Sequence, residues 1–149
     1  MRLRRAEWGD LAFLFQLRND PVVRRFAFHG EPIPLAEHTA WFERKLSDES
    51  ALILIAEEEG ERAGQVRFDL DGERATVGIA VAENFRKRSL GKSILQQGCR
   101  YLKESTSVKQ IFAFIKPENE ASIRLFRSAG FSNPSEENSG FLTMSLELS

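Results

Sequence analysis

Apolar and polar positions change their period several times along the chain, and each change marks an element. Residues 3–6 predict a short edge strand. Asp10 opens a helix to about Arg18 with Leu11, Leu14 and Phe15 on one face, and Asn19, Asp20 and Pro21 stop it. A helical turn and a loop fill residues 21–33. Pro34 then starts a second helix reaching about Ser47, striped by Leu35, Phe42 and Leu46, with His38 three residues before Trp41 on a shared side. Residues 51–57 read as a strand closed by a turn around Glu59, Gly60 and Glu61. Residues 62–70 alternate with Val66, Phe68 and Leu70 on one face. Asp71 and Gly72 are a pair preferred in a two-residue type I′ turn, and the strand returns over residues 74–82. A long amphipathic helix follows with Leu90, Ile94, Leu95, Tyr101 and Leu102 at helical spacing, fraying by Thr106. Residues 110–116 form a buried strand, and Asn119 caps a helix that carries Ile123 and Phe126 inward and ends at Gly130. A polar tract leads to a last strand over residues 141–148.

Composition narrows the classes. At 149 residues the chain is most simply one domain, 1–149, and 42% apolar residues with twelve phenylalanines supply a substantial core. Twenty-one basic against 22 acidic residues leave a net charge of −1, so no global field draws it to nucleic acid or to a membrane. One cysteine, Cys99, and two histidines, His29 and His38, argue against an intrachain disulfide and a metal site. The chain opens MRLRRAEWGD, without an apolar signal core, and a cytoplasmic location is the expectation.

Residues 81–95, VAENFRKRSLGKSIL, join the last meander strand to the long helix. Arg86, Lys87, Arg88, Ser89, Gly91 and Lys92 bring cationic side chains, small residues and free amides into one turn. The first-turn amides of a helix have no intrahelical partner, and the macrodipole adds roughly half a positive charge there. A phosphate or pyrophosphate suits such a turn, and Gly91 removes a Cβ that would hold it off the backbone. A solvated surface turn is the plainer alternative.

The spacing adds a resemblance. Val81-x-x-x-x-Arg86-x-x-Ser89-x-Gly91 resembles the acetyl-CoA signature of the GNAT N-acetyltransferases, V-x-x-x-x-R/Q-x-x-G-x-G/A, with Ser89 where the first glycine is usual. That exchange is tolerable unless the position needs φ > 0. NEASIRLFRSAGF resembles the family's second motif, N-x-x-S/A-x-x-L-Y-x-x-x-G-F, matched at Asn119, Ser122, Leu125, Gly130 and Phe131. The resemblance spans nearly the whole chain. It implies an α/β GNAT fold: a single mixed central sheet, mostly antiparallel, splayed between the fourth and fifth strands and flanked by about four helices.

The same resemblance implies acetyl-CoA as cofactor and an N-acetyltransferase reaction, in which a neutral amine attacks the thioester directly. Ile79 and Val81 would offer backbone hydrogen bonds to pantetheine, and one such amide would stabilise the oxyanion. Arg86, Lys87, Arg88, Ser89, Leu90, Gly91 and Lys92 would hold the pyrophosphate. Asn119, Ser122 and Phe126 would lie along the pantetheine arm, a plain helix cap being the other reading of Asn119. Phe126 replaces the tyrosine that often donates the proton in this family, and Tyr101, the only tyrosine, reads as core-facing. For the base, His38, His29, Glu31, Glu37 and Glu73 are candidates. His38 comes first because its helix borders the acceptor pocket in this fold, and packing against Trp41 is its structural alternative.

The first third carries a narrower resemblance. LRNDPVVRRFAF and IPLAEHTAWF are similar to L-R-N-D-x-x-V-R-x-x…I-x-x-x-x-H-x-x-W-F, found in GNAT enzymes of nucleotide-sugar pathways, including pseudaminic acid biosynthesis. A UDP-linked amino-deoxysugar is the acceptor this implies. Arg18, Arg24 or Arg25 would meet its diphosphate, since guanidinium forks match phosphate oxygens. Phe26, Phe28 and Trp41 would pack on sugar or base, with His29 in the same loop. The pattern recurs less fully in ribosomal-protein N-terminal acetyltransferases, so a protein acceptor is the first alternative. A non-catalytic acetyl-CoA-binding module is the second. The expected partner is a small-molecule amine, and edge strands at both ends of the sheet allow a homodimer.

Overall fold

The computed structural model describes residues 1–86, 88–136 and 140–148. Seven strands form one sheet: β1 (Arg2–Arg5), β2 (Ala51–Glu58), β3 (Glu61–Asp71), β4 (Arg74–Val81), β5 (Gln110–Ile115), β6 (Ser135–Glu136) and β7 (Leu142–Glu147). Their order is β1-β2-β3-β4-β5-β7-β6. Among the described residues there are five α-helices: α1 (Leu11–Asn19), α2 (Pro21–Phe26), α3 (Leu35–Leu46), α4 (Leu90–Ser105) and α5 (Glu120–Ser128). Neighbouring strands are antiparallel except β4 and β5, which run parallel. The α/β mixed sheet expected from the sequence is therefore observed, with one helix more because the turn after Pro21 is a helix of its own.

Strand alternation sorts the two faces. Leu52, Leu54, Val66, Phe68 and Val77 pack under Ile94, Leu95 and Leu102 of α4, while Ile53 and Ile55 face Leu14 of α1 and Phe42 of α3. Each such side chain stabilises the fold by about 1.5–3 kcal/mol when fully buried. Gly98 sets how closely α4 approaches, since a Cβ there would stand 2.8 Å from Val66 Cγ1.

The stripe expected on α3 is only partly buried. Phe42 and His38 carry the contact, whereas Leu35 and Leu46 are 53% and 40% exposed. They are the first and last residues of the helix and overhang the sheet.

The hairpins also differ from expectation. Glu58 pairs with Glu61, and both residues between them, Glu59 (φ +54°) and Gly60 (φ +81°), are left-handed, the type I′ pattern. In the next hairpin Asp71 pairs with Arg74, so the turn residues are Gly72 and Glu73, not Asp71 and Gly72. Only Gly72 of these two has positive φ (+62°), which fits a type II′ turn with glycine first.

Asp10 ties three elements together. It is 1% exposed, and its carboxylate accepts from Arg4 Nη1 and Nη2 (2.8 and 2.7 Å), from Arg62 Nε (2.7 Å) and from the Glu7 amide (2.7 Å). Burial pushes its pKa up, but the hydrogen bonds from Arg4, Arg62 and Glu7 outweigh that and hold it well below the usual carboxylate range.

Candidate active site

β4 and β5 pair only at Arg74–Gln110, Ala75–Ile111 and Thr76–Phe112. Beyond Thr76 the two strands diverge, and β4 continues to Val81 bonded on its β3 side alone. The Ala82 amide donates to the Ala63 carbonyl at 2.7 Å, so Ala82 turns its polar groups toward β3. By the alternation of an antiparallel ladder, Val81 and Ile79 turn theirs into the splay. The Val81 carbonyl already accepts from Arg86 Nε at 3.0 Å.

The basic turn follows directly. Ser89 precedes α4 with φ +59° and ψ +23°, a left-handed residue whose side chain makes no cap hydrogen bond. The serine thus occupies a backbone conformation that glycine adopts freely, and for an L-residue this costs about 1–2 kcal/mol. The uncapped first-turn amides from Leu90 onward face an approaching anion, with Lys92 exposed beside them. Arg88 is exposed, its guanidinium 5.0 Å from the Phe85 ring centroid. Lys87 lies outside the described residues. This donor set fits a diphosphate.

The side chains of other residues expected around the cofactor also make contacts within the fold. A Cβ on Gly91 would touch Leu125 Cδ1 and Cδ2 at 3.4 Å, so its missing side chain accommodates α5. Asn119 Oδ1 accepts from the Ser122 amide (3.2 Å), and its Nδ2 donates to Ser122 Oγ (3.0 Å): the two residues cap α5 together. Phe126 is buried edge-on against Phe131, with ring centroids 4.9 Å apart. Leu90 packs partly against that core. Arg86 Nη2 stands 3.0 Å from Asp20 Oδ1, so this arginine braces the turn against α2 and is not a free phosphate ligand.

The acceptor side faces α1, α2 and α3. Arg18 and Arg67 both stack on Trp41, at 5.1 and 5.4 Å from the ring centroid. Arg18 Nη1, Arg24 Nε and Gln65 Oε1 are buried without hydrogen-bond partners. Phe28 packs tilted against Phe141 at 4.2 Å, and Lys116 Nζ donates to the Arg25 carbonyl at 3.0 Å, so the end of α2 and the loop after it reach the segments that flank β5 and β7. His29 is exposed in that loop, and Arg25 lies over Phe26 at 5.2 Å. Arg67, Gln65 and Asp20 escaped the sequence reading. The first two were within reach of it, because they alternate with Val66 and Phe68 and must face the opposite side.

Two candidate bases, Glu73 and His38, sit in very different places. Glu73 stands in the β3–β4 turn, at the opposite end of β4 from the basic turn, and pairs with Lys109 at 3.6 Å. Eight residues of β4 put that end about 25 Å away. His38 is 1% exposed, stacked among Phe15, Trp41 and Phe42, with centroids 5.4, 5.6 and 6.4 Å away. Burial, then the nearby Arg18 charge, lower its pKa, although the Leu11 carbonyl favours the protonated ring. No hydrogen bond of good geometry reaches either ring nitrogen. His38 lies under Trp41, away from solvent. Tyr101 packs partly buried against the core as expected, and its hydroxyl accepts from Arg5 Nε at 2.9 Å beside β1, away from the splay.

A parallel strand pair that parts beside a bare, basic helix N-terminus defines the class: a CoA-dependent acyltransferase. Residues 1–132 match the Acetyltransferase (GNAT) domain, and the chain belongs to that family. It is 32% identical over 110 residues to the N-acetyltransferase YfmK of Bacillus subtilis, covering 71% of this chain and 72% of that one. It is 28% identical over 136 residues to an L-methionine sulfoximine/L-methionine sulfone acetyltransferase of Pseudomonas aeruginosa, with 87% and 78% covered. The crystal structure of a spermidine N-acetyltransferase from Vibrio cholerae in complex with CoA and spermine superposes with a TM-score of 0.89, covering 98% and 94% at 18% identity, a likeness of fold. The chain is an acetyl-CoA-dependent N-acetyltransferase.

Proposed function

We propose that the chain acetylates the primary amine of a small molecule held on the α1–α3 side of the splay. The observation that carries this reading is the loss of β4–β5 pairing after Thr76–Phe112, which opens the Ile79–Val81 edge beside the α4 N-terminus. Acetyl-CoA supplies an acetyl group activated as a thioester, which a neutral amine takes up as an amide while CoA leaves as its thiol.

The chain's part is binding, orientation and charge stabilisation. The Leu90 and Gly91 amides with Arg88 and Lys92 hold the diphosphate. The Ile79 and Val81 amides point into the splay, where one of them meets the negative charge developing on the acetyl oxygen. Removing one such donor in other enzymes costs about 10²–10³ in rate. Phe126 has no hydroxyl and Tyr101 serves Arg5, so solvent returns the proton. A thiol of pKa near 8.5 is a tolerable leaving group without a donor.

The finer reading is a UDP-linked amino-deoxysugar acceptor. It is supported by LRNDPVVRRFAF and IPLAEHTAWF, which supply Arg18, Arg24, Arg25 and Trp41 to this side. An amino acid is the second acceptor of this kind, favoured by the substrates in the Pseudomonas relative's name.

The test is release of CoA thiol from acetyl-CoA with UDP-amino sugars, free amino sugars, amino acids, polyamines and N-terminal peptides. Turnover of a small amine is expected. Turnover of peptides alone would move the activity to protein N-termini, and CoA binding with no turnover of any amine would contradict the proposal.

A further inference from the structure

Two guanidinium groups stacked on one indole repel each other, and among the described residues only Arg67 has an ion-pair partner. Burial lowers the pKa of Arg18, and the charge on Arg67 lowers it further, while Glu37 pulls the other way without forming an ion pair. Asp69 stands 3.8 Å from Arg67 Nε, but it also serves Lys45 at 3.2 Å. Arg18 Nη1 is buried with no acceptor. Leaving a buried donor of this kind unpaired costs about 1–3 kcal/mol or more, so Arg18 is suited to an acceptor supplied by a ligand or by water.

Register places this pair of cations beside the reaction. Arg67 stands opposite Gly78 and Gln65 opposite Ala80, the residues on either side of Ile79. A Cβ built on Gly78 would lie 3.8 Å from Arg67 Nη2, ordinary contact distance, so the guanidinium lies across β4 toward the splay. Gln65 is two positions from Arg67, hence on the same face and about 7 Å away. Its Oε1 is buried and unpartnered, a hydrogen-bond acceptor suited to an amine.

We propose that Arg18 and Arg67, stacked on Trp41, form an anion subsite, so that the amine acetylated here belongs to a molecule carrying a carboxylate or phosphate. Gln65 receives the amine at the splay while the guanidiniums hold the anion. A polyamine would bring ammonium groups against two cations and is rejected. The inference rests on the acetyltransferase reading, and it names the class of acceptor.

Two matched pairs and spermidine test it: L-methionine sulfone against its decarboxylated amine, and glucosamine 6-phosphate against glucosamine. Each is assayed for turnover and titrated calorimetrically into CoA-loaded protein. At least one member that carries the carboxylate or phosphate should exceed its counterpart without it by about tenfold or more in kcat/KM, and the pair that does so tells carboxylate from phosphate. Arg67→Gln should collapse that preference to within about twofold, and Arg67→Lys should restore part of it by returning the charge. Equal handling of both pairs, a preference for spermidine, or a preference untouched by Arg67→Gln would overturn the proposal. If none of these amines is acetylated, Arg67-dependent binding of a member that carries the anion keeps the subsite and removes only the small-amine reading. Without such binding the subsite falls as well.

Discussion

The Arg86 guanidinium stands 3.0 Å from the Asp20 carboxylate, so the turn leading into α4 and the start of α2 are held as one piece. Asp20 also caps α2, accepting from the Val22 and Val23 amides at 2.8 and 3.3 Å. Burial raises its pKa, but Arg86 and the two amides lower it below the ordinary value. Asp20→Asn keeps a capping oxygen and removes the charge. It should lower Tm by about 2–4 °C, the effect of roughly 1 kcal/mol. Because the freed Arg86 no longer fixes the turn, KM for acetyl-CoA should rise severalfold. A variant with unchanged KM would show that the brace does not shape the cofactor turn.

Ser89 is left-handed without being glycine. Ser89→Gly relieves about 1–2 kcal/mol of backbone strain and gives back about 0.5–1 kcal/mol in unfolded-chain entropy. The net should be a gain of about 0.5 kcal/mol in denaturant unfolding, with CoA affinity kept. Ser89→Val should lose more than about 1 kcal/mol. A destabilised glycine variant would contradict the left-handed assignment.

These two residues mark the border of what could be read in advance. Alternation in β3 and helical spacing in α4 are local patterns, so Val66, Phe68, Ile94 and Leu102 were legible as core. The splay was legible only through the resemblance, since no pattern within 74–81 says where pairing with β5 stops. Turn type was misassigned at Asp71–Gly72 because the closing pair depends on register. The Asp10–Arg62 contact joins residues 52 apart, with no local signature in either segment. Partners such as Arg18, Arg67 and Trp41 meet only when α1, α3 and β3 are packed.

Asp10 should govern acid stability. Its folded-state pKa is depressed, so its contribution is fully present above the ordinary carboxylate value near 4 and fades as pH falls below it. Asp10→Asn should cost about 2–3 kcal/mol at pH 7, because Arg4 and Arg62 lose a shared anion. Melting curves of both proteins should converge as pH drops below about 4. A gap that persists at low pH would mean that packing, not charge, is what the substitution removes.

His38→Phe separates support from catalysis. The lowered pKa of His38 leaves the ring neutral at pH 7, and its stabilising contribution is lost as pH falls below the ordinary value near 6.5. Phenylalanine removes two unpaired buried nitrogens and keeps the stack under Trp41. Stability at pH 7 should hold or rise by about 1 kcal/mol, the acid-side loss between pH 7 and 5 should shrink, and kcat should stay within about threefold. A fall of about a hundredfold or more in kcat, with loss of the acid limb of the pH profile, would reinstate His38 as the base.

The most direct measurement is amide hydrogen exchange across residues 74–92 with and without CoA. The open β4 edge and the bare α4 N-terminus predict that CoA slows exchange at Ile79, Val81, Leu90 and Gly91, while Val66 and Phe68 of β3 keep their rates. Exchange unchanged at all four positions under saturating CoA would contradict the placement of the cofactor in the splay.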